Sequence, residues 1–148
     1  MPVSTTGLDV FDKTLQTTHI WLDEVMEAVG PDRNLAWHVL GAVLRALRDR
    51  LQPELAAHLG AQLPLLVRGA YYDQFRPGHG PEKLHRDSEF LARVADGLGG
   101  TRPVNLTVAT RAVLGVLSHH VTPEQVEKVK RSLPESIRAL WPEEDTAA

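Results

Sequence analysis

Cysteine is absent from the 148 residues. That excludes disulfides, thiolate nucleophiles, iron–sulfur clusters and cysteine-ligated zinc. Aromatic residues make up only 5% of the chain, and isoleucine occurs only at Ile20 and Ile137. So little isoleucine and so few aromatics favour helix over strand. No apolar run approaches the ~20 residues that a membrane-spanning helix needs. The longest interior run, Val39 to Leu44, is itself interrupted by Gly41. The opening residues Met1-Pro2-Val3-Ser4-Thr5-Thr6 offer neither a basic region nor an apolar core, so no secretory leader is expected. Charge of one sign is also nearly missing: 16 Lys and Arg face 19 Asp and Glu, for a net −3. A nucleic-acid binder normally carries a basic excess, so nucleic acid is not the expected partner. These absences together predict a cytoplasmic protein with no membrane association.

What is present is helical. Leucine, alanine, arginine and glutamate are plentiful, and all four favour helix. Leu8, Phe11, Leu15, Leu22, Val25 and Val29, with Thr18 between them, follow a three–four spacing that predicts one apolar helix face. Thr6 is the expected cap, and Gly30-Pro31 the stop. Asp32 then caps a second helix with Ala36, Leu40, Val43, Leu44, Leu47 and Leu51 inward and Arg45, Arg48 and Asp49 outward. Pro53 opens a third helix. Pro64 starts a short fourth that ends near Tyr71-Tyr72. Residues 73–86, with Pro77, Gly78, Gly80 and Pro81, read as a connecting loop. Further on, Asp87, Asn105 and the capping box Thr122-Pro123-Glu124-Gln125 each mark a helix start, and Ser132-Leu133-Pro134-Glu135 suggests another box. The expectation is an all-α domain of about seven helices over residues 1–148, with a frayed acidic tail after Trp141-Pro142.

The two halves align without a gap at an offset of 70. Ala42, Val43, Leu44, Leu47, Pro53, Glu54, Leu63, Pro64 and Arg68 meet identical residues at 112, 113, 114, 117, 123, 124, 133, 134 and 138. Chance would give roughly three such matches at this composition. Shared helical phase does not require the two prolines. The reading is an internal repeat, 8–72 and 87–141, packed as two pseudo-equivalent units in one compact domain. This duplicated plan, with the segment Leu66-Val67-Arg68-Gly69-Ala70-Tyr71-Tyr72-Asp73-Gln74-Phe75, resembles the bacterial and archaeal family called domain of unknown function 2267, from roughly Leu8 to Trp141. The resemblance implies an all-helical fold and assigns no activity. That family often has Trp where this chain has Phe75.

Chemistry-bearing motifs are sparse. The seven histidines include no His-Glu-x-x-His pair. His119 and His120 point about 100° apart on a helix, and His19, Asp23 and Glu27 read as a solvated face. No metal site and no cofactor are expected. No Gly-x-Ser-x-Gly elbow or phosphate-binding glycine loop occurs, and no catalytic residue is assigned. The repeat of Arg68 at Arg138 argues for a structural arginine. The symmetry breaks at Tyr72, Asp73, Gln74 and Phe75, with no counterpart in the second half, and loops on rigid scaffolds commonly carry function. Two functions lead, ahead of a weaker third, an anion or nucleic-acid contact through Arg45 and Arg48 that steep salt dependence would reveal. One is a non-enzymatic interaction module that takes a protein partner or a second copy of itself. The other is a small-molecule-binding protein or enzyme with a pocket near Arg68, Tyr71, Tyr72, Asp73 and Phe75. In the latter, Asp73 would act as base or anion partner and the tyrosines as donors.

Overall fold

A computed structural model describes residues 5–143. The expected acidic tail lies outside the described residues from position 144 onward. Eight α-helices follow in order: α1 Asp9–Val29, α2 Arg33–Arg50, α3 Pro53–Gly60, α4 Leu65–Tyr72, α5 Asp87–Asp96, α6 Leu106–His120, α7 Pro123–Ser132 and the single turn α8 Glu135–Arg138. A 3-10 turn, Pro77–His79, interrupts the 73–86 connection. There is no strand among the described residues.

Helix α2 is the axis of the molecule. Its alanines let neighbours approach on several sides, and Ala36, Val39, Leu40, Ala42, Val43, Leu44, Ala46 and Leu47 are all buried. A helix with apolar residues on most of its circumference belongs in a core, and α1, α4, α5 and α6 pack against this one. Each fully buried Leu or Val contributes roughly 1.5–3 kcal/mol relative to exposure. Asp32 caps α2 as expected, accepting from Leu35 N at 3.0 Å.

The two three-helix runs α2–α3–α4 and α6–α7–α8 have matching joints. Gln52 and Thr122 precede Pro53 and Pro123 with φ/ψ of −60/145° and −59/144°. Pro64 and Pro134 precede α4 and α8 at −58/152° and −56/150°. After each, an arginine closes the preceding helix end. Arg68 Nε donates to Gly60 O at 2.9 Å and Nη2 to Leu63 O at 2.8 Å. Arg138 Nε donates to Lys130 O at 3.0 Å and Nη2 to Leu133 O at 2.9 Å.

Several expectations need correction. Thr6 does not cap α1: Leu8 is the N-cap residue and offers no side-chain bond. The Thr6 hydroxyl instead donates to Asp12 Oδ1 at 2.8 Å. Asp87 is the first residue of α5 rather than its cap, and Glu89 reaches back to accept from Arg86 N at 3.0 Å. Ser132 ends α7, its hydroxyl donating to Val129 O, so the second capping box does not form. The apolar face of α1 is buried only from Thr18 onward. Leu8, Phe11 and Leu15 remain exposed. Arg48 is buried rather than outward-facing.

Candidate functional site

The α4–α5 connection is built around Arg48, in the last turn of α2. Its side chain is 5% exposed, and a buried guanidinium must have its donors met. Nη1 donates to Tyr71 O and Asp73 O, both at 2.8 Å. Nε donates to Asp49 Oδ1 at 2.9 Å, and the guanidinium carbon lies 4.9 Å from the centre of the Phe75 ring. The cation thus sits at the carbonyl end of α4, where the helix dipole favours it, and the chain leaving α4 is clasped there. A second tie follows: Glu82 N donates to Asp49 O at 2.7 Å, and Arg50 Nε to Leu84 O at 2.8 Å. Between these ties the chain turns through Gln74. At φ 58° it is the one non-glycine residue with positive φ among the described residues. Such strain persists only where surrounding structure holds it, and it concentrates at functional positions.

The clasped segment forms one wall of a cleft of about 520 Å³, with α2 and α5 as the other walls. That volume lies within the usual range for small-molecule sites. Helix α2 contributes Arg45, Arg48 and Asp49; the segment contributes Asp73, Phe75, Arg76, His79 and Glu82; α5 contributes Arg93 and Asp96. Asp49 joins the walls, accepting from Arg93 Nη2 at 2.9 Å. This hydrogen bond holds the Arg93 guanidinium above its ordinary pKa. Arg45 is half-buried and donates from Nη1 to Ala70 O at 3.1 Å. Burial lowers its pKa, against the opposing pull of Asp73. A Cβ on Gly41 would lie 2.8 Å from Arg45 Nη1, so the glycine lets this guanidinium fold flat against its own helix.

The residues singled out from sequence separate in space. Asp73, which is exposed, and Phe75 line the cleft. Tyr71 is buried at 0% exposure and donates from its hydroxyl to Ala56 O at 2.7 Å. Burial, with Tyr72 adding to it, pushes its phenol pKa well above the ordinary value. Tyr71 is therefore core, not ligand contact. Tyr72 packs its ring where a Cβ on Gly60 would sit. Arg68 faces a different groove of about 380 Å³, between α1 and the α3–α4 turn, lined also by Val10, Lys13, Trp21 and Leu65. Beside it lies an apolar strip: Leu8, Val10, Phe11, Leu15, Leu65 and Leu66 are all exposed. His119 Nδ1 and His120 Nε2 both meet Glu24, at 2.9 and 2.6 Å, and His120 stacks on Trp21, so this pair ties α6 to α1.

Sequence reasoning offered Arg45 and Arg48 only as a separate anion contact, and missed Asp49, Arg93 and Asp96 on the α2 and α5 side of the cleft. A signal for α2 existed. At the offset of 70, Arg45, Arg48 and Asp49 meet Gly115, Ser118 and His119. The match between the halves lapses there in charge just as it lapses after Tyr71, and Asp73, Gln74 and Phe75 line the same cavity as Arg45, Arg48 and Asp49.

None of the curated proteins matches this chain. A family match covers residues 18–140. It begins at Thr18, where α1 enters the core, and includes every residue named in the cleft. On that match, the chain belongs to the family described as uncharacterized conserved protein (DUF2267).

Proposed function

We propose that this protein is a non-enzymatic, cytoplasmic binding module, and that its site is the cleft between α2, α5 and the 73–82 segment, taking a small polar molecule. The observation that carries the reading is the buried Arg48 clasp, which fixes a strained segment as the wall of a charged cavity. Nothing about connecting α4 to α5 requires a buried arginine or a left-handed glutamine. The lining is dominated by arginines and carboxylates, a set suited to holding charged groups. The matching joints of α2–α3–α4 and α6–α7–α8 support descent from one duplicated unit. In this reading the first copy took on the site through Arg45, Arg48 and Asp49.

Small molecules released by denaturing natively purified protein provide the test. Mass spectrometry should find a polar compound enriched on the wild type and lost from Arg45→Met. Identical profiles from the two proteins would overturn the reading.

The exposed strip on α1 and α4 favours a second reading, docking on a protein partner or a second copy. An apolar face of this kind marks interaction surfaces. Light scattering should then show a concentration-dependent rise in mass that Phe11→Glu abolishes.

A further inference from the structure

Helices α2 and α5 run antiparallel across the cleft. A Cβ on Gly97 would lie 3.0 Å from Ala42 Cβ at one level, and Asp49 bonds Arg93 at the other. One turn from that ion pair, about 5.4 Å along each helix, stand Arg45 on α2 and Asp96 on α5. They carry opposite charges, yet neither is in an ion pair among the described residues. Arg45 lies against its own wall, over Gly41 and bonded to Ala70 O. Four arginines and four carboxylates line the cleft. A bare anion or a bare cation therefore gains little net attraction, while a molecule bearing both charges meets an opposite charge for each.

Resting on the reading of the cleft as the site, we propose that its ligand is a small zwitterion, with its carboxylate or other anionic group on Arg45 and its ammonium on Asp96. Asp73, exposed beside Arg45, offers the ammonium a second acceptor. Phe75 supplies an apolar wall for the carbon chain between the charges.

The probes are glycine, β-alanine, γ-aminobutyrate and ε-aminocaproate, with butyrate and butylammonium as singly charged controls. Each is titrated into the ¹⁵N-labelled full chain and followed by NMR. The inference expects shifts confined to cleft residues and an optimum chain length. It also expects affinity about tenfold or more above either control, since each control forfeits one charge-assisted contact. Asp96→Asn and Arg45→Lys should each weaken the best zwitterion while leaving the spectrum folded. Butyrate binding as well as the zwitterions, with Asp96→Asn silent, would overturn the zwitterion and leave the cleft as an anion site. Absence of cleft shifts with every probe would overturn the zwitterion inference. The cleft reading itself falls only if the released-molecule profiles of wild type and Arg45→Met also agree.

Discussion

Tyr71 and Asp73 are two residues apart and do opposite work. The ring of Tyr71 fills the core and its hydroxyl satisfies Ala56 O. Tyr71→Ala should therefore cost about 3 kcal/mol or more, and Tyr71→Phe about 1 kcal/mol. The Asp73 carbonyl is held by Arg48 while its side chain stays exposed. Asp73→Ala should leave stability within about 0.5 kcal/mol. Urea titrations of the three variants in one buffer check all of this. A loss for Asp73→Ala equal to that for Tyr71→Ala would make the carboxylate a structural pin. Arg48→Met leaves Asp49 with Arg93 alone and takes the donor from the Tyr71 and Asp73 carbonyls, and should cost about 3 kcal/mol. The same variant should loosen the 73–80 segment, read as faster amide exchange there. The sequence offered Tyr71 as a ligand donor, yet it also held a sign of the core position: Trp141 stands 70 residues on, and it too is buried. The sequence could not show Arg48 to be buried, since helical phase puts charge outside by default. The carbonyls that receive it come from a segment 23 to 25 residues away.

At the scale of elements, the most legible features were local ones. Proline at the first helical position, Asp32 and Thr122 as caps, and Gly30 as a stop act through neighbours a few residues away. They read directly from the chain. Helix α1 shows the limit. Its three–four stripe is continuous in sequence, but only the part from Thr18 to Val25 finds a covering surface. Periodicity reports which side chains share a face, not whether anything packs on it. Phe11→Ser should accordingly change stability by no more than about 0.5 kcal/mol, whereas Trp21→Ala should cost about 3–5 kcal/mol. Amides in the first two turns of α1 should exchange well ahead of those beyond Trp21. Protection equal along the whole helix would mean that something covers the strip.

For the whole molecule, the all-helical architecture followed from composition and periodicity, and the helix order from prolines and caps. The cleft did not, because it arises where α2, α5 and the connection meet, and that meeting is set by packing. No described helix is long and apolar enough to cross a membrane. The two halves meet through broad apolar contact: α1 and α2 both pack on α6, and α2 packs on α5. Gln62 adds a reciprocal pair of bonds with Thr122, at 3.1 and 2.9 Å. The single covalent link between them, residues 73–86, is fastened at Asp73 on one side and at Glu82 and Leu84 on the other. The stretch around Gly78 lies exposed between those fastenings. A cut there removes no core contact. Residues 1–78 and 79–148, made as separate polypeptides, should therefore find each other and rebuild the molecule, which makes this protein a natural candidate for a split reporter.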